Sequence, residues 1–146
     1  MNPEQLARGG SEAGEQTALF CWAAQQRARY PELEWLYAIP NGGARGDKRS
    51  AMIRGGQLKA QGVKAGVSDI CLPVKRGQWS GLYIELKRVS LRPVRQGSAG
   101  GVTSEQAAFG AFVQGQGYGF AVCYGWVEAS RVIEQYMVVG TTIGAP

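Results

Sequence analysis

The segment LYIELKRV, residues 82–89, constrains the fold of this chain more than any other stretch. Successive residues of a β-strand point to opposite faces, so this strand separates its apolar from its polar side chains. One face carries Leu82, Ile84 and Leu86, and the other carries Tyr83, Glu85 and Lys87. An acid and a base on one face of an otherwise apolar strand indicate either a salt bridge or half of a metal-dependent active site.

Composition favours one compact, basic domain. The chain has 146 residues, of which 45% are hydrophobic, so it can bury a substantial core but is too short for two domains. Its formal net charge of +5 fits a polyanionic partner such as nucleic acid, and it fits an ordinary basic protein equally.

The residue types that are missing narrow the chemistry. The chain contains no His, which excludes His general bases, His–metal sites and Ser-His-Asp arrangements. Three widely spaced Cys among apolar neighbours, namely Cys21, Cys71 and Cys123, are typical of reduced core residues. The N-terminus has no apolar signal core, and no apolar run approaches membrane-spanning length. We therefore expect a cytoplasmic protein with no membrane association.

Hydrophobic periodicity and turn signals predict a mixed α/β domain over residues 11–137. It is preceded by a flexible tail, residues 1–10, and followed by a second tail, residues 138–146. The predicted elements are a helix from Ser11 that stops before Pro31, a strand EWLYAIPN, a weak helix after residue 46, a hairpin of two strands over 68–89, a helix capped at Thr103, a strand YGFAVCYG and a last helix WVEASRVIEQYM. The polar, Gly-rich segment 90–102 is predicted to be a mobile loop.

Three carboxylates on these elements point to a metal site. Asp69 opens the first hairpin strand and lies beside Glu85 on the second, while Glu15 is on the core-facing side of the first helix. Neighbouring carboxylates repel each other, and a divalent cation removes that repulsion. Oxygen ligands without His or Cys favour Mg²⁺ or Mn²⁺, and Lys87 on the same face suits phosphodiester hydrolysis.

Five motifs in this order resemble the virus-type replication-repair nuclease (VRR-NUC) domain of the PD-(D/E)xK nuclease superfamily, stand-alone bacterial or phage type. They are Glu15 on the first helix, the turn Asn41-Gly42-Gly43, the segment GVKAGVSD that ends at Asp69, the ELK of Glu85 to Lys87, and the TSEQ of Thr103 to Gln106. The resemblance covers about residues 11 to 127. Gly66 and Ser68 depart from the Pro that often precedes the Asp in the superfamily, which changes the turn and leaves the ligand in place.

The resemblance implies a restriction-endonuclease-like fold, with a mixed central sheet flanked by helices and an αβββαβ core. It implies that Glu15, Asp69, Glu85 and the backbone carbonyl of Leu86 hold Mg²⁺, with Mn²⁺ as a substitute, and that Lys87, Glu85, Asp69 and Gln106 form the catalytic set. The stand-alone members resemble dimeric resolvases of four-way (Holliday) DNA junctions, so the implied partners are branched DNA and a second copy, in the cytoplasm of a bacterial or phage-infected cell.

Several alternatives remain open from the sequence. Glu85 and Lys87 form a plain ion pair in one reading, and Asp69 is a turn residue. Glu15 has a purely structural alternative, because acids near the start of a helix, such as Glu12, favour its dipole and a helical register shifted by one residue moves Glu15 off the core-facing side. Gln106 is equally explained as the last residue of a capping box with Thr103.

Basic and apolar residues outside the site carry further expectations. Nucleic acid is expected to contact Asn41, Arg45, Lys64 and Arg88. Arg92 and Arg95 border the loop and suit a clamp on a DNA arm, and Trp79 either stacks on a base or packs on its neighbours. The apolar residues of the last helix, Val127, Val132, Ile133 and Tyr136, are a candidate dimer interface. A flap or duplex-nicking nuclease and a non-catalytic nucleic-acid-binding module are the alternative functions.

Overall fold

The computed structural model describes residues 1–40 and 55–139. In this part of the chain a four-stranded sheet has its strands in sequence order, β1 (Tyr37–Ala38), β2 (Ile70–Leu72), β3 (Leu82–Lys87) and β4 (Gly119–Tyr124). Strand β2 pairs antiparallel with both β1 and β3, whereas β3 and β4 are parallel. A parallel pair needs a crossover connection, and a helix between β3 and β4 provides it.

Within the described residues, five helices accompany the sheet. They are α1 (Pro3–Ala7), α2 (Glu12–Gln25), α3 (residues 55–60), α4 (Ser104–Gly115) and α5 (Trp126–Val139). Short 3₁₀ helices span Pro31–Trp35 and Val89–Leu91. The series α2, β1, β2, β3, α4, β4 is the expected αβββαβ core, so the predicted mixed α/β fold is confirmed.

The two faces of the sheet are covered differently. Leu82, Ile84 and Leu86 of β3 are fully buried in a core with residues of α2 and α5, among them Leu19 and Ile133. On the opposite face, the ring of Tyr83 contacts that of Phe109 of α4, with 5.2 Å between the ring centroids. The alternation predicted for this strand is confirmed, and its polar residues face α4.

The N-terminal segment differs from the predicted flexible tail. Asn2 and Gln5 form a capping box, with hydrogen bonds of 3.0 and 2.9 Å between each side chain and the other's backbone N–H. These bonds satisfy backbone N–H groups that a helix start leaves unpaired, and α1 forms as a result. A Cβ on Gly14 would lie 2.8 Å from the Leu6 carbonyl oxygen, so α1 packs closely on α2.

Two predicted element boundaries also move. Helix α2 ends at Gln25, because the following residues form turns before Pro31, and the 3₁₀ helix over Pro31–Trp35 leaves β1 only two residues. Helix α5 continues to Val139, two residues past the predicted end. The rest of the predicted C-terminal tail, residues 140–146, lies outside the described residues.

Two candidate binding surfaces are wholly or partly interior. Of the four α5 residues predicted for a dimer interface, Ile133 and Tyr136 are fully buried in the core, whereas Val132 is half-buried and Val127 is 43% exposed, so only part of this set is available to a partner. Trp79 is also a core residue, which favours the packing alternative over base stacking. Within the described residues, no helix combines the length and the apolar character that crossing a membrane requires.

Candidate active site

The sheet register brings Asp69 beside Glu85. Ile70 pairs with Ile84, so the preceding residue, Asp69, lies across from Glu85 on the neighbouring strand. The Leu86 N–H donates a 2.8 Å hydrogen bond to Asp69 Oδ2, which holds this carboxylate against β3. The N–H and C=O of one strand residue point to the same side, and the Leu86 carbonyl is therefore directed toward the side where Asp69 lies.

Glu85 is a buried carboxyl group with an incomplete set of partners. It is 1% exposed, and its Oε2 has no hydrogen-bond partner among the described residues. Burial, followed by the negative charge of Asp69, raises the pKa of Glu85 to about 8, although the Lys87 ammonium opposes the shift. A buried acceptor without a donor costs free energy, so this oxygen is a position at which a cation or a donor would be stabilising.

Lys87 is held in place by two partners. Its Nζ lies 3.7 Å from Glu85 Oε1 and 3.1 Å from Gln106 Oε1, to which it donates a hydrogen bond. The Glu85–Lys87 ion pair expected as an alternative is therefore present. It is buried, however, unlike the surface pairs that contribute little, and it stands next to a second carboxylate.

Gln106 is both the capping-box residue of α4 and a partner of Lys87, the two positions that the sequence left open. Its Oε1 accepts from the Thr103 N–H at 2.9 Å, and its backbone N–H donates to Thr103 Oγ1 at 3.1 Å, which completes the capping box of α4. The same side chain donates from Nε2 to Glu85 Oε1 at 2.8 Å. The cap thus fixes an amide that bridges Glu85 and Lys87.

Glu15 does not lie with these carboxylates, contrary to the sequence prediction. It is 5% exposed, and its Oε2 accepts a 2.8 Å hydrogen bond from the Trp126 N–H, the first residue of α5. The N-terminus of a helix favours an anion, which explains a buried carboxylate on the core side of α2. A Cβ on Gly125 would lie 3.3 Å from Glu15 Oε2, so a residue without a side chain permits this approach.

Glu12, at the exposed start of α2, is near enough to the site for its charge to interact with Asp69 and Lys87. Partial desolvation and then the charge of Asp69 raise the pKa of Glu12, while the charges of Lys87 and Arg88 act in the opposite direction. The carboxylate lies in the first turn of α2, one turn before Glu15. Its position in that turn was the available sequence signal, but acids there are common for reasons of helix stability alone.

The donor set has the chemistry that a hard divalent cation requires. No three His, Cys, Asp or Glu side chains of residues 1–40 and 55–139 are gathered closely enough to hold a metal ion. Two carboxylates, Asp69 and Glu85, are neighbours, one of their oxygens is buried without a partner, and a backbone carbonyl points the same way. Oxygen donors of this kind are the ligands that Mg²⁺ or Mn²⁺ prefers.

A groove lies between the start of α4 and the segment that precedes β2. Its volume is about 680 Å³, and its lining includes Lys59, Lys64, Thr103 and Gln106. Lys64, predicted to contact nucleic acid, is exposed on this groove, and Arg88 is exposed directly after Lys87. Asn41 and Arg45, predicted for the same role, lie outside the described residues.

The groove wall depends on a close contact between a loop and α4. A Cβ on Gly66 would lie 2.5 Å from the Glu105 carbonyl carbon, so only glycine lets the loop before β2 touch the start of α4. This contact connects the segment that carries Asp69 with the helix that carries Gln106. This contact explains the second glycine of the GVKAGVSD motif, Gly66.

The buried Glu85 and the half-buried Asp69 thus lie beside Lys87 and Gln106 on a mixed αβββαβ core. No protein-family model matches the chain, and no curated protein matches it. A solved structure described as "VRR_NUC domain protein" is similar, with a TM-score of 0.67 and 24% sequence identity, over 87% of this chain and 88% of that one. The chain therefore has the fold of a VRR-NUC domain, as the sequence resemblance predicted.

Proposed function

We propose that this protein is a Mg²⁺-dependent, structure-selective DNA endonuclease in which Mn²⁺ substitutes for Mg²⁺. The observation that carries the proposal is the buried Glu85 next to the half-buried Asp69, with Lys87 beside Glu85 and hydrogen-bonded to Gln106. Perturbed carboxyl groups next to a fixed cationic side chain are typical of functional sites. The fold of a VRR-NUC domain supports a nuclease over other phosphate chemistry.

The residues divide into metal ligands and groups that act on the phosphate. Asp69, Glu85 and the Leu86 carbonyl would hold the ion, and Glu12 takes the role expected of Glu15. When bound, the ion supplies charge neutralisation on the phosphoryl group and lowers the pKa of water. The Lys87 ammonium, held by Gln106, stabilises negative charge on the phosphate oxygens and orients the attacking water.

Cations along the groove support a polyanionic substrate. Lys59 and Lys64 lie on the groove that runs past Gln106, and the chain as a whole carries a formal net charge of +5. Phosphate contacts of this kind position a nucleic acid without reading its sequence, and they make binding fall steeply with salt.

We further propose that the substrate is a four-way junction and that the enzyme acts as a homodimer. Junction resolution requires two symmetric cuts and each chain has one candidate site, so a two-fold dimer is the simplest arrangement. Flap cleavage and duplex nicking are served equally well by the same catalytic residues. The cytoplasmic location expected from the sequence stays a prediction.

One observation favours a non-catalytic nucleic-acid-binding module as the second candidate. Within the described residues, the three carboxylates are not gathered into a ready metal cluster, and Lys87 is already paired with Glu85. A module of this kind would bind branched DNA and gain no thermal stability from Mg²⁺ or Mn²⁺.

The decisive experiment compares Lys87→Ala with a matched control, Lys75→Ala, an exposed lysine near the tip of the β2–β3 hairpin. Strand-labelled four-way junction, flap and duplex DNA are incubated with Mg²⁺ or Mn²⁺. We expect Lys87→Ala to reduce cleavage about 10³-fold, because it removes an electrostatic contact to the reacting phosphate. Lys75→Ala should cut like the wild type.

The outcomes separate the candidates. Paired symmetric cuts in the junction support the resolvase, whereas cuts only in flap or duplex DNA keep the catalytic set and reject the junction preference. Full activity in Lys87→Ala contradicts the assignment of the site. Tight DNA binding by the wild type without cleavage, and without thermal stabilisation by either metal, favours the non-catalytic module.

A further inference from the structure

A compact loop, residues 91–101, projects from the edge of the candidate active site. The loop begins at Leu91, the last residue of the 3₁₀ turn Val89–Leu91 that follows strand β3. It ends two positions before Thr103, the capping residue of α4. The loop is therefore anchored on one side to the strand of Lys87 and on the other to the helix of Gln106. We call it the site loop.

Specific contacts close the neck of the site loop. Arg92 Nη2 donates to Glu128 Oε2 at 2.6 Å and to the Tyr124 carbonyl at 3.4 Å. Tyr124 Oη donates to the Gly100 carbonyl at 2.9 Å. A Cβ on Gly100 would collide with Tyr124 Oη and lie 2.7 Å from Pro93 Cγ, so the two ends of the loop touch.

The backbone of the site loop is built from hydrogen-bonded turns. The Ser98 N–H donates to the Arg95 carbonyl at 3.2 Å, with Gly97 at φ 85°, and the Val102 N–H donates to the Ala99 carbonyl at 3.0 Å. A positive φ at the third residue of the first turn is the geometry of a type II turn. The segment predicted as a mobile loop has the form of an Ω-loop, whose ends are close and are joined through Tyr124 and Glu128.

The tip of the site loop presents one apolar side chain and one cation. Val94 is 99% exposed, and its neighbour Arg95 is exposed as well. Residues 91–101 contain two arginines and no acid, and Arg92 is already paired with Glu128. Single exposed apolar residues are ordinary on protein surfaces. Here the distinguishing feature is that the side chain lies on a loop with a hydrogen-bonded neck, whose two ends lead to Lys87 and Gln106.

We propose that the site loop is a DNA wedge, in which Val94 enters the opened base stack at a branch or distortion and Arg95 contacts the adjacent phosphate. Proteins that deform DNA insert apolar side chains between base steps and flank them with basic residues. This inference rests on the proposed function, since the DNA bound at the site also meets the loop.

Charge and position favour DNA over a protein partner. An acid-free, basic loop is suited to a phosphate backbone, and a single valine provides too little apolar area for a protein interface. Because both ends of the loop lead to candidate catalytic residues, a wedge at its tip would set the distance between the distorted base step and the cleaved bond.

The test compares Val94→Ser, Val94→Leu and a matched control, Val138→Ser, which changes a valine that is 61% exposed on α5. Binding to a fluorescein-labelled four-way junction and to a linear duplex of the same arm sequence is measured by anisotropy in EDTA. A 2-aminopurine at the branch point reports unstacking. Thermal unfolding of each variant verifies that the loop change leaves the fold intact.

We expect Val94→Ser to weaken junction binding about tenfold, because an apolar contact of one valine is lost, and to reduce the 2-aminopurine signal. Its duplex binding should change less than about twofold, and Val94→Leu and Val138→Ser should bind like the wild type. Equal junction binding and equal 2-aminopurine signals for Val94→Ser and wild type would overturn the wedge.

The wedge and the proposed nuclease can fail separately. If the wild type cuts no DNA but Val94→Ser still loses selective junction binding, the wedge stands and the catalytic proposal fails. If the wild type cuts DNA and Val94→Ser binds and cuts equally well, the wedge fails and the nuclease stands. A wild type that binds no DNA overturns both.

Discussion

Strand β3 has two faces that contribute differently to this protein. Its aliphatic residues are fully buried against α2 and α5, whereas its polar face buries Glu85 and Lys87 against α4. Burial of aliphatic groups stabilises the fold, but burial of a carboxyl group next to another carboxylate destabilises it unless a cation is present. Six consecutive residues thus combine the part of the sheet that holds the fold together with the part best suited to chemistry.

The largest effect on stability is expected on the aliphatic face. Ile84→Ala removes a fully buried side chain and leaves a cavity in the centre of the core. We expect a loss of about 4 kcal/mol in the free energy of unfolding, measured by urea denaturation. Val89→Ala, which truncates a half-exposed side chain just after β3, is the control and should change the free energy by less than about 0.5 kcal/mol. Similar losses in both variants would contradict the division between the faces.

The next effect should have the opposite sign. Folded Glu85 has a pKa of about 8 instead of 4.5, so it keeps its proton between these values while the unfolded chain releases it. The native state then binds more protons, and stability falls as pH rises through this window. Without metal at pH 8, we expect Glu85→Gln to raise the free energy of unfolding by about 2 kcal/mol.

At pH 5 that gain should largely disappear, because Glu85 of the wild type is then mostly protonated in the folded state. Urea denaturation in EDTA at the two pH values measures the difference. A Glu85→Gln variant that is less stable than the wild type at pH 8 would show that the polar face stabilises the metal-free fold.

The smallest effect separates the two glutamates of α2. Glu15→Gln removes a buried anion from the N-terminus of α5, and we expect it to lower the free energy of unfolding by about 1 kcal/mol. Glu12→Gln at the exposed rim should change stability by less than about 0.5 kcal/mol. The stabilisation by Mn²⁺ should depend on the other glutamate. We expect Glu12→Gln to reduce the rise in unfolding temperature that Mn²⁺ causes, and Glu15→Gln to leave it unchanged.

Differential scanning fluorimetry with and without Mn²⁺ measures both effects on the same samples. Loss of the metal-dependent shift in Glu15→Gln, with retention in Glu12→Gln, would restore the assignment made from the sequence. A shift of the same size in both variants would remove α2 from the metal site.

Local patterns predicted most of the fold. The period of two in LYIELKRV separates the faces of β3, the Thr103–Gln106 spacing marks the start of α4, and the apolar strands on either side of a polar turn form the expected hairpin. These signals are readable because each depends on residues within a few positions of one another. The proximity of Asp69 and Glu85 follows from the hairpin register in the same way.

Features that depend on distant parts of the chain were misassigned or left open. A helix pattern shows that Glu12 and Glu15 lie one turn apart. The position of α5 decides which of the two accepts the hydrogen bond from the Trp126 N–H. The site loop looks mobile in sequence, because its order depends on Tyr124 and Glu128, more than twenty residues further along the chain.

The sequence alone determined the strand that separates core from site, the carboxylates and lysine suited to phosphate chemistry, and the αβββαβ order. Tertiary structure decided that Gln106 both caps α4 and bridges Glu85 and Lys87, that Glu15 bonds to the start of α5, and that hydrogen bonds close the neck of a basic loop after Lys87. The physical reason is the distance along the chain over which each effect acts. Periodicity and capping act within a few residues, whereas burial, pKa shifts and loop order arise from groups that only folding brings together.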